Sequence, residues 1–351
     1  MSLLNYKCPS CGASINYDAN SDKGLCDFCS SVFTLEELEE YAKKDGASTK
    51  EEKSDKQDGA EEEILSYSCN NCGAEVVSDA TTSATFCYYC HSPVILTKQL
   101  QGVFKPDYIV PFAIDKKKAQ ETFLAWAKTK SYVPSSFTEA SQLEKITGMY
   151  LPYWLADAKT QVNVRGIGTK TNVYRRGEVE YTEYEEYPIT AQGDFSINKI
   201  PELAFTQIDR DLVKSVDDFS SAELKDFNMA YLSGFFSERY DIEKKEAEGA
   251  LVDQATEYAN RFVSSQFSGY DNVKKDVNQI DTELEKVSYV LLPTWVLTYQ
   301  YLGKNYIYML NGLNGMAYGE LPVDQKKLGL RSGIIFLIIA VLMLLGGRFI
   351  W

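Results

Sequence analysis

Residues 8–29 read CPSCGASINYDANSDKGLCDFC, and residues 69–90 read CNNCGAEVVSDATTSATFCYYC. These two stretches hold all 8 cysteines of the chain, arranged as four CxxC pairs. Each cysteine of the second stretch lies 61 positions after its counterpart in the first, and the same offset relates Tyr6 to Tyr67 and Asp18 to Asp79. The spacing therefore indicates one small module that occurs twice.

Each CxxC pair has the spacing of a metal-binding turn, because two intervening residues let one tight turn bring both thiolates to one ion. Gly12 and Gly73 follow such pairs, where the backbone is expected to need a positive φ. Four thiolates favour a tetrahedral structural Zn²⁺ and leave no coordination position for water or substrate. The predicted ligands of two structural zinc ions are Cys8, Cys11, Cys26 and Cys29 for the first and Cys69, Cys72, Cys87 and Cys90 for the second.

Other interpretations of these residues are weaker. Thioredoxin-like redox pairs usually occur singly in a βαβ context, and a disulfide framework fits poorly with the absence of a visible signal peptide. His91 directly follows Cys90 and is expected to be an exposed turn residue rather than a substitute ligand. Because it is the only histidine, HExxH motifs and multi-histidine metal sites are excluded.

The cysteine motifs resemble TFIIB-type zinc ribbons, which are also called rubredoxin-like knuckle modules. The resemblance is carried by CPSCG and CDFC in residues 6–35 and by CNNCG and CYYC in residues 67–97. Ribbons of this type bind nucleic acid in some families and protein in others, so the resemblance implies a fold rather than a function.

The chain is expected to be α+β, with two small zinc ribbons, an antiparallel-β-rich body that carries a helical insertion, and one C-terminal transmembrane helix. A helix that follows ribbon 1 has a capping box formed by Thr34 and Glu37. Residues 43–63 lack large apolar side chains, which predicts a disordered linker that lets the ribbons move independently. The predicted boundaries are 1–42 for ribbon 1 with its helix, 43–63 for the linker, 64–100 for ribbon 2, 101–328 for the body and 329–351 for the transmembrane segment.

Within the body, Asp115 is expected to cap a helix that buries Phe123, Trp126 and Ala127 on one face. The alternation around residues 178–182 predicts a half-exposed strand. LPYW at 151–154 and LPTW at 292–295 each indicate the start of a strand, with both tryptophans in the core. Residues 216–266 are predicted to be helical, and NGLNG at 311–315 to be a hairpin turn. The buried stripe of the helical part is expected to be Ala250, Leu251, Ala255, Ala259 and Phe262.

The apolar run IIFLIIAVLMLL at 334–345 predicts a single membrane-spanning helix. Lys326, Lys327 and Arg331 precede it, so the positive-inside bias predicts a cell-membrane protein whose N-terminal bulk is cytoplasmic. The alternatives are a buried core helix and an insertion that packs with a partner helix.

Taken together, the paired ribbons, VPFAID at 110–115, GMYLPYW at 148–154, NGLNGMAYGELP at 311–322 and the apolar C-terminal run resemble a bacterial family of zinc-ribbon membrane proteins. Some members of that family resemble partners of phage-shock (PspA-like) and SPFH-type envelope-stress systems. Its helicase-like label has no support here, because no GxxxxGK[ST] phosphate loop occurs.

The predicted function is a membrane-anchored adaptor without enzymatic activity, whose ribbons bind proteins at the cytoplasmic membrane face. The expected partners are the lipid bilayer and membrane-associated proteins, with envelope-stress proteins as candidates. The alternative is a replication- or helicase-associated nucleic-acid-binding protein. A net charge of −14 disfavours that alternative, and few basic residues lie near the ribbons, among them Lys7, Lys23 and Lys98. The Glu-rich stretch EYTEYEEY at 180–187 could hold catalytic carboxylates, but a solvated strand face explains it more simply.

Overall fold

A computed structural model describes residues 3–44, 65–72, 75–87, 90–139 and 143–347. Within these ranges the protein is α+β, as the sequence predicts. Lys43 and Lys44, placed in the linker by the sequence, end the first helix, and residues 45–63 of that linker lie outside the described ranges.

The described helices are α1 Leu35–Lys44, α2 Lys116–Lys128, α3 Arg210–Lys214, α4 Lys244–Gln266 and α5 Gln325–Gly347. The strands are β1 Leu3–Leu4, β2 Asn16–Asp18, β3 Lys23–Leu25, β4 Val32–Phe33, β5 Leu65–Ser68, β6 Glu75–Ser78, β7 Thr82–Phe86, β8 Pro93–Leu96, β9 Tyr108–Ile109, β10 Thr147–Arg176, β11 Val179–Leu203, β12 Lys225–Asp226, β13 Phe236–Glu238, β14 Asn272–Tyr301, β15 Lys304–Asn311 and β16 Ala317–Gly319. Short 3₁₀ turns occupy Thr97–Leu100, Gly102–Phe104, Ser135–Thr138 and Met229–Leu232.

One large sheet organises the body, and its centre is the antiparallel pair β10 and β14. Its strand order is β1-β8-β7-β13-β10-β14-β15-β16, with β11 beside β10, and β9 joining β12 to β14. The sheet therefore runs from ribbon 2 into the body without a break, because β7 and β8 belong to ribbon 2 and β7 pairs with β13 of the body.

The two LPxW motifs lie side by side at the centre of this sheet, where Leu151 is paired with Leu292. Both tryptophans are buried as predicted: the indole N–H of Trp154 donates to the carbonyl of Ile242, and that of Trp295 to the carbonyl of Ile114. The predicted strand starts are wrong, because both motifs lie inside 30-residue strands.

The proline of each motif occupies a position where its missing N–H interrupts no ladder of interstrand hydrogen bonds. Pro152 lies where the neighbour on one side of β10 changes from β13 to β11. Pro293 lies where the neighbour on one side of β14 changes from β9 to β15. A proline inside a long strand is tolerated at such a gap.

The helix predictions are confirmed at the caps and partly wrong in the middle. Thr34 and Glu37 exchange both capping-box hydrogen bonds, and the carboxylate of Asp115 accepts from the N–H of Lys118 at 2.7 Å. On α2, Phe123 and Ala127 are buried and Trp126 is half-buried.

The predicted helical region over 216–266 is confirmed only for α4. Residues 216–243 instead form turns, a 3₁₀ turn and the short strands β12 and β13. The carboxylate of Asp218 accepts from the N–H of Ser220 at 3.1 Å and so competes with helical pairing. In α4, Leu251, Ala255 and Ala259 are buried as predicted, but Ala250 is only half-buried and Phe262 is 48% exposed. Ala247 and Val263 complete the buried stripe instead.

Ribbon 1 is docked on the body and shares its hydrophobic core, which differs from the predicted independent movement. The ring centroid of Tyr17 lies 5.2 Å from that of Tyr231, and the backbone N–H of Tyr17 donates to the carbonyl of Ser233. The ammonium of Lys225 pairs with Asp22 at 2.6 Å. The composition of the linker could not reveal this contact, because the contact depends on apolar side chains of ribbon 1 and of the body.

The prediction of a membrane-spanning C-terminal helix, and with it of a single-pass membrane protein with a cytoplasmic N-terminal bulk, is wrong. No helix within the described ranges is long and apolar enough to cross a membrane. In α5, Lys326, Lys327 and Arg331 occupy the first turns.

Candidate metal centres and a projecting arm

Both cysteine sets gather into compact clusters, with the sulfur atoms of each set within 4.8 Å of one another. The cysteines form no disulfides. The Sγ–Sγ separations include 3.5 Å for Cys8–Cys29, 3.6 Å for Cys11–Cys26, 3.8 Å for Cys69–Cys90 and 3.7 Å for Cys72–Cys87. A tetrahedron with Zn–S bonds of about 2.3 Å has edges of about 3.8 Å. Each cluster therefore has the size and the ligands to hold one metal ion.

Backbone hydrogen bonds build the same turn around the Cys8/Cys11, Cys26/Cys29 and Cys87/Cys90 pairs. In the first pair the N–H of Gly12 donates to the carbonyl of Cys8, and in the last pair the N–H of His91 donates to that of Cys87. Gly12 has a φ of 76°, as the sequence predicts. Gly73, its predicted counterpart, lies outside the described residues.

Hydroxyl groups support the outer thiolates and favour their ionised form. The hydrogen bond between Ser31 and Cys29 lowers the pKa of that thiol to about 6. Burial raises the pKa of Cys90, but hydrogen bonds with Ser92 and Asn71 outweigh it and lower the pKa to about 5. Thiolates are the form that binds a metal ion. Sequence reasoning missed these serines, although they share the 61-residue offset of the cysteines.

His91 is a turn residue in the structure. It is exposed, and its φ of 56° matches the 59° of Ser30 at the equivalent position of ribbon 1. The described metal-capable clusters contain only cysteines. The left-handed backbone, rather than the imidazole, is therefore the property that this position requires.

We expect His91→Gly to keep metal content and stability, because glycine adopts a positive φ without steric cost. His91→Val should lower the free energy of unfolding by about 1–2 kcal/mol, since a β-branched side chain is strained there. Chemical denaturation and metal analysis of both variants check this. Loss of metal from the glycine variant would instead identify the imidazole as a ligand.

A long β-arm extends from the body. It consists of residues 158–176 of β10, 179–197 of β11 and 272–284 of β14, covered on one face by α4. The covered face buries Val162, Val164, Ile189, Val263 and Phe267 in one cluster. At about 3.3 Å per residue, the β10 part is roughly 60 Å long.

The tip of this arm, residues 170–187, has no helix or third strand beside it in the described structure. Pairing with β14 ends at Thr169, and all of β11 from Val179 to Pro188 is exposed. Sequence alternation predicted the strand, but its apolar side is also exposed. Tyr184 is 68% exposed, and Tyr174 and Tyr181 stack with ring centroids 5.6 Å apart.

The chain is 30% identical over 352 residues to the uncharacterized protein YdjG of Bacillus subtilis (strain 168). The match covers 99% of this chain and 100% of that protein. The chain belongs to the YdjG family. Because the YdjG match runs almost end to end, it includes both ribbons and the arm. No protein-family model matches the chain, and no solved structure matches it.

Proposed function

We propose that this protein is an adaptor that binds another protein through the tip of its β-arm, with two structural zinc ions holding the ribbons that buttress its body. The observation that carries this proposal is the tip itself. Two bare strands present large side chains to solvent at the end of a rigid support that α4 stiffens.

Zinc is the metal that this ligand set favours. Four thiolates at tetrahedral spacing suit Zn²⁺, and a shell filled by protein ligands leaves no position for substrate. The ribbons are consequently assigned a structural role. Ribbon 1 is packed against the body, so the arm rather than a tethered ribbon is the part best placed to contact a partner.

The chemistry of the tip is that of a protein interface. Tyrosine and arginine are enriched among residues that dominate binding energies, and isolated apolar side chains complete such patches. The exposed tip residues of this kind are Val173, Tyr174, Arg175, Arg176, Val179, Tyr181, Tyr184 and Tyr187. Arg176 lies over the ring of Tyr174 at 5.7 Å, which keeps both side chains together on one face.

The charges at the tip favour a basic protein partner over a nucleic acid. Its cations are Lys170, Arg175 and Arg176, and its anions are Glu178, Glu180, Glu183, Glu185 and Glu186. The anions are concentrated on β11, so phosphate backbones are repelled and a basic protein groove is attracted. The same electrostatic argument disfavours the nucleic-acid alternative.

The test is site-specific photo-crosslinking in the native host, with the photoreactive residue at position 184 of the full chain. We expect a crosslink to a defined protein that weakens about tenfold or more in a Tyr174→Ala/Tyr181→Ala variant, since hot-spot tyrosines are worth about 2 kcal/mol. The crosslink should also weaken with added salt. The identity of that protein tests the link to phage-shock or SPFH-type proteins that the sequence resemblance implies.

The matched control is Tyr258, which is 54% exposed on α4 away from the tip. A crosslinker at position 258 should not capture the same protein, and Tyr258→Ala should leave capture from position 184 unchanged. Capture that is equal from both positions, or that resists the double substitution, would refute the arm as the binding element. Capture of nucleic acid would restore the alternative function.

A further inference from the structure

A cleft of about 480 Å³ lies where ribbon 1 meets the body. Ribbon 1, the end of β7, the start of α2, the start of β10 and the segment before β13 all contribute to its wall. The volume lies in the range of small-ligand sites, which is about 300–1,000 Å³. The cleft lies outside the β-arm, so the proposed function does not use it.

Aromatic rings form much of its wall. Phe86 and Phe236 have ring centroids 5.2 Å apart, and Phe235 and Trp295 have centroids 6.1 Å apart. Gly148 lies beneath these rings, and a Cβ there would stand 2.5 Å from the ring of Phe235 and 3.1 Å from that of Trp295. The close packing therefore depends on glycine and fixes the rings that face the cleft.

Carboxylates held in fixed orientations surround the aromatic wall. Asp18 accepts from the hydroxyl of Ser21 at 2.7 Å. Asp27 accepts from the side-chain amide of Asn16 at 2.6 Å. Asp115 accepts from the N–H of Lys118 at 2.7 Å, and this bond keeps its pKa below the usual range. All three carboxylates line the same cleft.

The neighbouring positive groups offset this charge only in part. Lys116 and Lys117 also line the cleft, but the ammonium of Lys116 donates to the carbonyl of Glu144 at 3.0 Å. The start of α2 does not offer an anion site, since Asp115 already caps it. Fixed negative charge beside aromatic faces is the combination that binds organic cations.

We propose that this cleft binds an organic cation with a guanidinium or primary ammonium group, through the aromatic wall and the carboxylates of Asp18, Asp27 and Asp115. The same chemistry is offered by a free small molecule and by an arginine or lysine side chain of another protein. Because ribbon 1 supplies Asp18 and Asp27, the cleft exists only while that ribbon is folded on the body.

The test is isothermal titration of the zinc-loaded full chain with N-acetyl-arginine amide and with its neutral isostere, N-acetyl-citrulline amide. We expect saturable binding of the arginine probe and at least tenfold weaker binding of the citrulline probe. An Asp18→Asn/Asp115→Asn variant should weaken binding of the arginine probe at least tenfold. Asparagine keeps the turn at position 18 and the helix cap at position 115, so folding is preserved.

Asp209→Asn is the matched control, because Asp209 caps α3 and does not line the cleft. It should leave the affinity unchanged. Spermidine and a Gly-Arg-Gly peptide distinguish the two sources: tighter binding of the peptide identifies a protein side chain, and tighter binding of spermidine a free cation. Equal binding of arginine and citrulline probes, no saturable binding of any probe, or full affinity in the double variant would overturn the proposal.

Discussion

Cys8→Ser should release one of the two metal ions and unfold ribbon 1 together with the part of the body that it covers. Structural zinc supplies about 10–16 kcal/mol of apparent binding free energy in small ribbon peptides, and one lost thiolate removes most of it. Tyr6, Ile15 and Tyr17 belong to the same core as the body, so the damage should spread beyond the ribbon. A loss of about 5 kcal/mol would lower Tm by about 10–20 °C.

Metal analysis of purified protein and thermal unfolding measure this effect. Cys69→Ser is the companion variant, which should release the other ion and disturb the strand pairing of β7 with β13. Ser31→Ala serves as a mild control, since it removes a hydrogen bond to Cys29 but leaves all eight thiols. Full metal content in Cys8→Ser would mean that the first cluster is not a metal centre.

The second large effect is expected from Phe112→Ala. Phe112 is 1% exposed, and its ring stacks on that of Phe235 at 4.3 Å and lies 5.0 Å from that of Trp295. Truncating a buried phenylalanine costs about 3–5 kcal/mol, because the cavity that remains collapses only in part. Here the surrounding rings are themselves rigid, which favours the upper half of that range.

Chemical denaturation of Phe112→Ala against wild type gives the free energy of unfolding directly. The matched control is Phe28→Ala, whose side chain is 83% exposed at ribbon 1 and should change stability by about 0.5 kcal/mol or less. A cost for Phe112→Ala as small as that of the control would show that the aromatic cluster does not hold the body together.

The local features of this protein are the ones that sequence predicts well. The cysteine clusters follow from spacing alone, and the caps of α1 and α2 follow from Thr34, Glu37 and Asp115, because each acts within a few residues of its partner. The hairpin turn after β15 is likewise confirmed, with the N–H of Asn311 donating to the carbonyl of Met316.

Features that depend on segments far apart in the chain are harder to predict from the sequence. Val179 and Tyr181 alternate with glutamates as in a half-buried strand, but α4 ends before it could cover them. Phe262 was expected to be buried and instead packs at the rim against Phe195, 5.2 Å away. The cleft was not predicted either, since its walls come from six separate parts of the chain. Periodicity reports which face could be buried, not whether another element reaches it.

The pairing of β1 with β8 has a consequence for how this chain can change in evolution. Leu3 and Leu4 lie against ribbon 2, although ribbon 1 follows them directly in sequence. Both ribbons are consequently held in place on either side of residues 45–64, which connect them in sequence. Lengthening a connection of this kind is cheap, since each doubling of loop length costs about 0.6 kcal/mol. The 61-residue offset is therefore free to drift among relatives, whereas the spacing of cysteines inside each ribbon is not.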